Sequence, residues 1–302
     1  MIGKLKHLLH KNRCSTQANL FKNPSLCTIN RGNSIIVNRS LSENINKSYI
    51  AKNYKIVKTI HETSSRGMYI IESSSKTKYF AKINPKSKNC ENEANIFRKL
   101  INHNNINIVK FIEWGEDDIC CYFIYEYIDG ITLDKYIKDN NITNKNIKDI
   151  FLQIVNGLHY LHSLDIIHCD IKLNNIMITE NLEIKIIDFD LSIISKCDYL
   201  GHNIFGTIQY IAPESADLYI YSKKSDIWSL GIVMYIILTG EYPYIYTSSN
   251  AIEKDNMYRR NKFKHINFSL IKDNNFKYII MSMLKFIDCE RITTEEILKY
   301  KW

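Results

Sequence analysis

Residues 225–238, SDIWSLGIVMYIIL, are apolar on nearly every face of a helix. A helix that is wet on one side carries a polar stripe, so this one must be enclosed by protein or by lipid. A bilayer span needs about 20 apolar residues, and the longest run here, LGIVMYIIL at 230–238, is far shorter. The segment is therefore predicted to be the central helix of a folded lobe, and other helices must cover it. IKDIFLQIVNGLHYLH places Ile147, Phe151, Ile154, Val155, Leu158 and Leu161 on one broad face. In TTEEILKYKW at the C-terminus, Thr293 and Glu296 have the spacing of a capping box.

The front of the chain has a different texture. YKIVKTI, GMYIIES and KYFAKI read as short strands separated by Ser-rich turns. ENEANIFRKLI follows, with Ala94, Phe97, Leu100 and Ile101 at helical spacing, and then the apolar strand YFIYEYI (122–128), closed by Gly130. A strand-rich front and a helix-rich rear predict an α+β fold of two lobes, a small β-rich one over about 51–128 and a larger helical one over about 129–302. The cleft between them is expected near residue 128.

Charge divides at the same front edge. Residues 1–50 carry eight Lys and Arg against Glu43 alone, so nearly all of the net +8 belongs to an N-terminal arm. The main domain is almost neutral, which removes most support for a nucleic-acid-binding face. The arm has no sustained period, and a solvated, flexible segment is the simplest reading. Its first dozen residues set Ile2, Leu5, Leu8 and Leu9 against Lys4, Lys6 and Lys11, a pattern that also suits a membrane-surface or targeting role. No continuous apolar core of a secretory signal is present there. The eight cysteines include no CxxC pair. That argues against zinc and for buried thiols in a reducing, cytoplasmic setting. Abundant Asn, Ile, Lys and Tyr fit an AT-rich coding genome, such as that of a large DNA virus (a poxvirus, for example) or an AT-rich protist.

The chemistry concentrates in IIHCDIKLNN (166–175) and in NIMI and LEIKIIDFD, which read as a strand pair holding Asn175 and Asp188 at neighbouring positions. Mg²⁺ takes oxygen ligands, one or two from protein and the rest from water and phosphate. An amide oxygen and a carboxylate meet that need, leaving Asp170 to face a substrate hydroxyl. Each of these residues alone is better read as an Asp/Asn turn capping a strand. Together, and in this order, they favour a phosphotransfer site.

The chain resembles a eukaryotic-type serine/threonine protein kinase from about Tyr54 to its last residue. His168-Cys169-Asp170 with Lys172 and Asn175 is similar to the catalytic loop, and Asp188-Phe189-Asp190 to the metal-binding tripeptide. GTIQYIAPE resembles the end of an activation segment, SDIWSLG the segment carrying a buried Asp226, and Arg291 stands where the family pairs an arginine with Glu214. The resemblance implies ATP and Mg²⁺ as cofactors and proteins as substrates. It implies Lys82 for the α/β-phosphates with Glu93 as its ion-pair partner, and Lys172 for the γ-phosphate. Asp170 becomes the base, Asn175 and Asp188 the metal ligands, and Thr207 a neighbour of Asp170 and Lys172. Tyr125 becomes the gatekeeper, with Glu126 and Ile128 offering backbone groups to adenine and Gly67 in the phosphate-covering hairpin.

Four positions depart from the family. The hairpin TIHETSSRGMYII keeps only Gly67 of three glycines, and Asp190 replaces the glycine after Phe189. Glu93 follows Lys82 at a short spacing, which leaves Glu91 as an alternative partner. Cys169 stands where many kinases have an arginine that pairs with a phosphorylated activation loop. A small buried hydrophobe is the expected role for that cysteine, and activity without loop phosphorylation is the expected consequence. Thr132 and Asn174 sit where arginine-directed kinases often carry acids, so that preference is unsupported. Two other classes share parts of the pattern. A binding-only pseudokinase would explain the altered hairpin, Cys169 and Asp190. A small-molecule phosphotransferase would share the His-x-Asp loop but lack APE at 212–214.

Overall fold

A computed structural model describes residues 49–63, 66–85, 88–117, 120–139, 143–243 and 266–302. All of them fall in one compact unit, Arg39–Trp302. The basic arm before residue 49 and the basic run at 258–265 lie outside the described residues.

The small lobe opens with α1 (Tyr49–Asn53) and then forms β1 (Lys55–Glu62), β2 (Gly67–Glu72), β3 (Lys78–Pro85), α2 (Lys88–Leu100), β4 (Phe111–Glu116) and β5 (Cys120–Glu126). The five strands make one antiparallel sheet in the order β1-β2-β3-β5-β4. Period-two alternation assigns its faces. Tyr69, Ile71, Ala81, Ile83, Tyr122 and Ile124 form one apolar cluster with Ile50 of α1. Lys82, Phe123 and Tyr125 lie on the opposite face, which meets α2 through Phe97. Ile50 is fully buried and Tyr49 stacks on Tyr122 at 4.7 Å between ring centres. The folded domain therefore begins no later than Tyr49, slightly ahead of the boundary expected from charge.

The large lobe continues with β6 (Gly130–Thr132), α3 (Leu133–Asp139), α4 (Asn144–Ser163), β7 (Ile166–Ile167), β8 (Ile176–Thr179), β9 (Ile184–Ile186), β10 (Ile193–Ile194), β11 (Tyr199–Leu200), α5 (Pro213–Leu218), β12 (Ile220–Tyr221), α6 (Lys223–Thr239), α7 (Asn274–Met283) and α8 (Thr294–Lys299). The all-apolar segment is α6, and twelve successive residues from Ser225 to Ile236 are buried. Its start is fixed by a capping box between Ser222 and Ser225, and its end by Gly240 in the left-handed region. The capping box expected of Thr293 and Glu296 is formed at α8. No helix among the described residues is long and apolar enough to cross a membrane.

One expectation fails in the small lobe. Cys90 of α2 and Cys121 of β5 form a disulfide, so they are not the plain thiols expected. The two lie 31 residues apart in sequence, and only the packing of α2 on the sheet brings them together. Cys120 and Cys169 are buried free thiols, and Cys197 and Cys289 are exposed ones.

Candidate active site

The catalytic loop is held from below by one buried carboxylate. Asp226, at the start of α6, accepts hydrogen bonds from the backbone N–H groups of His168 (2.8 Å) and Cys169 (2.9 Å). Its Oδ2 also lies 2.9 Å from His162 Nε2. Cys169 needs that support, because its φ of +66° is a left-handed conformation that costs a side-chain-bearing residue about 1–2 kcal/mol. Asp170, the next residue, lines the cleft.

Asp170 is the hub of the site. Its Oδ1 accepts from Thr207 Oγ1 at 2.8 Å and from the Thr207 N–H at 3.0 Å. Its Oδ2 accepts from Lys172 Nζ at 2.6 Å and Asn175 Nδ2 at 2.9 Å. Lys172 Nζ also donates to Thr207 Oγ1 at 2.9 Å, so carboxylate, ammonium and activation-segment hydroxyl form one closed set. Gly206 makes the approach of Thr207 feasible. Its φ is +100°, and a Cβ there would stand 2.8 Å from the Cys169 carbonyl oxygen.

Asn175 and Asp188 are placed by the strand pair read from the sequence. β8 and β9 are antiparallel, and the Ile187 N–H donates to the Asn175 carbonyl at 2.9 Å. Both N–H bonds of the Asn175 amide go to Asp170, one to its carbonyl (3.0 Å) and one to its carboxylate. The amide oxygen is the atom left for a cation. Asp188 lines the cleft, and an amide oxygen together with a carboxylate is the donor chemistry that would suit Mg²⁺.

Across the cleft, Lys82 Nζ pairs with Glu93 Oε1 at 2.7 Å, and both side chains are buried. Glu91 is exposed and plays no part in that pair. The Tyr125 hydroxyl donates to the same Glu93 oxygen at 2.8 Å, so a second group fixes the acid. Burial pulls the Lys82 ammonium below its ordinary value, and Glu93 and Asp188 oppose that shift. Burial first, then Glu93, raises the Tyr125 phenol well above its usual range, so it remains a donor. Lys82 also pairs with Asp190, whose second oxygen pairs with Arg66 of the hairpin.

An unbroken column of rings joins the lobes behind these groups. Phe97 of α2 meets Phe111 at 4.9 Å between centres, Phe111 meets Phe189 at 5.3 Å, and Phe189 meets His168 at 5.1 Å. Phe189 is fully buried in it, with Asp188 beside it lining the cleft. α2 is tied to the same region by Asn92 Nδ2, which donates to the Ser192 carbonyl at 2.8 Å.

The remaining expected residues are placed as follows. Glu126 closes β5, where its carboxylate accepts the Lys110 N–H (2.8 Å) and pairs with Lys185 (2.7 Å). Ile128 is buried just beyond. Gly67 starts β2, and its φ is not positive. A Cβ there would meet the tip of the Tyr69 ring at 2.3–2.6 Å. Ser192 is not an accessible phosphorylation site, because it is fully buried and its hydroxyl donates to the His168 carbonyl at 3.1 Å. Glu214 and Arg291 form the expected pair, bidentate at 2.7 and 2.8 Å. The ring column, the Tyr125 bond to Glu93 and the Arg66–Asp190 contact have no local sequence signature. The only hint was a lone guanidinium in the Ser/Thr-rich turn.

The profile of the protein kinase domain matches residues 33–302. The chain belongs to the protein kinase family, in its eukaryotic-type serine/threonine branch. It is 37% identical over 141 residues to serine/threonine-protein kinase PrkC of Bacillus subtilis, covering 46% of this chain and 22% of that one. It is 36% identical over 203 residues to calcium-dependent protein kinase 5 of Plasmodium falciparum (65% and 35%). To a probable serine/threonine-protein kinase KIN1 homolog of Enterocytozoon bieneusi it is 29% identical over 259 residues (82% and 42%). The chain thus spans less than half the length of each of these relatives. Family membership implies ATP as substrate and the general use of a divalent metal.

Proposed function

We propose that the chain is an active protein kinase, transferring the γ-phosphate of ATP to serine or threonine hydroxyls of proteins. Phosphoryl transfer needs alignment and charge neutralisation more than covalent chemistry. Asp170 orients and deprotonates the acceptor hydroxyl. Lys172, hydrogen-bonded to Asp170 and Thr207, steadies the γ-phosphate. Lys82, aligned by Glu93, meets the α/β-phosphates. Backbone groups of Glu126 and Ile128 take the adenine edge. Asn175 and Asp188 hold Mg²⁺, which when bound neutralises phosphate charge.

The observation that carries this reading is the closed set Asp170, Lys172, Asn175 and Thr207. A chain kept only for binding has no need to hold the base, the ammonium and the acceptor-side threonine within hydrogen-bond reach of one another. The lysine two residues after the base and the contact with Thr207 favour hydroxyl groups of serine and threonine over tyrosine.

The test is transfer of ³²P from [γ-³²P]ATP with Mg²⁺ to casein or myelin basic protein, followed by phosphoamino-acid analysis. Label on serine or threonine is expected, falling roughly 10²–10⁴-fold in Asp170→Asn as for loss of a general base. Nucleotide binding without transfer by the wild type refutes this function and assigns a pseudokinase. Transfer confined to a small-molecule hydroxyl refutes the protein substrate class.

A further inference from the structure

Arg66 and Asp190 are charged groups of the cleft to which the phosphotransfer chemistry above gives no task. Arg66 closes the turn before β2, where its carbonyl accepts the Thr63 N–H at 2.8 Å. Its guanidinium reaches from the small lobe to the large one and pairs with Oδ2 of Asp190. Asp190 Oδ1 pairs with Lys82, so a single carboxylate collects two cations from the small lobe. The three side chains are 35%, 17% and 4% exposed for Arg66, Asp190 and Lys82. Arg66 and Asp190 line the same cavity of about 660 Å³ as Glu93, Asp170, Lys172 and Asp188.

A carboxylate bridging an ammonium and a guanidinium imitates a phosphate. Both are oxyanions with more than one oxygen to share, and here Asp190 gives one oxygen to the guanidinium and the other to the ammonium. The hairpin keeps one glycine, so fewer of its backbone N–H groups can close on a phosphate. A guanidinium on the same hairpin brings five N–H donors and a full charge to the place those groups would serve. The ATP phosphates carry more negative charge than one carboxylate, so they compete with Asp190 for the two cations.

We propose that Arg66 is a phosphate-binding residue for ATP, and that Asp190 holds Arg66 and Lys82 in place until the nucleotide displaces it. The proposal rests on the reading of this cleft as an ATP site. A mere interlobe tether would be indifferent to the ligand's phosphates, and that difference can be measured.

The experiment is calorimetric titration of the full chain with MgATP and, separately, with adenosine, in wild type, Arg66→Ala, Arg66→Lys and Asp190→Asn. Removing one charge-assisted phosphate contact should weaken MgATP by about tenfold or more in Arg66→Ala. Adenosine affinity should stay within about twofold, since the lost contact is charge-assisted and adenosine carries no phosphate. Arg66→Lys, which keeps the charge without the fork, should recover part of the loss. Asp190→Asn removes the competing anion and should tighten MgATP severalfold. Equal MgATP affinity in wild type and Arg66→Ala, or equal loss of both ligands, overturns the role of Arg66. Weaker MgATP binding in Asp190→Asn overturns the place-holding role of Asp190. A wild-type chain that binds neither ligand overturns the ATP-site reading as well.

Discussion

The activation segment should hold its shape without phosphate, and the contacts around Cys169 indicate how strongly. Cys169 lies in an apolar cluster with Ile167 and Tyr221, against which Leu191, Ile193 and Phe205 pack. The Phe205 ring stacks on Tyr221 at 3.7 Å between centres and 14° between planes. The Tyr221 hydroxyl accepts the Phe205 N–H at 2.8 Å and donates to the Phe205 carbonyl at 3.1 Å. Two short strand pairs, β10 with β7 and β11 with β12, fasten the segment on either side. Tyr221→Phe keeps the ring and removes both hydroxyl bonds. At about 0.5–1.5 kcal/mol each, the loss is roughly 1–3 kcal/mol, which shifts the docked-to-undocked ratio by roughly 5- to 150-fold. Phe205→Ala keeps those two backbone hydrogen bonds and deletes the stacked pair, worth ~0.5–1.5 kcal/mol beyond its area. The assay is kcat on a protein substrate before and after phosphatase treatment, with limited proteolysis of the segment. Phosphatase should change the rate of the wild type by less than about twofold, since Cys169 has no guanidinium fork for a phosphate. Tyr221→Phe and Phe205→Ala should each make the segment more protease-sensitive. A tenfold fall after phosphatase treatment, or two variants as protected as wild type, would refute this account.

Three further outcomes are expected. On the proposed role of Asp188 in holding Mg²⁺, Asp188→Asn should weaken nucleotide binding only when Mg²⁺ is present, measured by titration with and without the ion. Cys90→Ser or added dithiothreitol should release α2 from β5 and cost about 2–4 kcal/mol, seen as a lower melting temperature and as a slower kinase, because Glu93 rides on the same helix. Burial raises the Cys169 thiol well above its ordinary value and pushes Cys120 up to about 12. Iodoacetamide at neutral pH should therefore label exposed Cys197 and Cys289 in the folded protein and leave both buried thiols unmodified, as read by mass spectrometry. Rapid labelling of Cys169 would refute its reading as a buried, unreactive thiol.

Much of the architecture was legible because the governing interactions are local. Alternation marked β2 and β3, helical spacing marked α2 and α4, and the missing polar stripe of α6 required a lobe around it. The capping box at Thr293 and Glu296 was readable for the same reason, since both partners lie within one helical turn. The order of Asp170, Lys172, Asn175 and Asp188 was also a property of the sequence. The strand pair that aligns the last two was legible in NIMI and LEIKIIDFD.

Periodicity assigns a residue to a face and leaves its partner unnamed. Glu91 and Glu93 are both acids near the start of α2, but two residues turn a helix by about 200°. Only the docking of α2 on the sheet decided that Glu93 faces Lys82 and Glu91 faces water. The same docking made Cys90 and Cys121 a disulfide pair and put the Tyr125 hydroxyl on Glu93. Arg66 and Asp190 stand 124 positions apart, and they meet because the hairpin of one lobe closes over the other. Contacts of that kind depend on how finished elements stack, and their energy is gained only once the loops between them have closed.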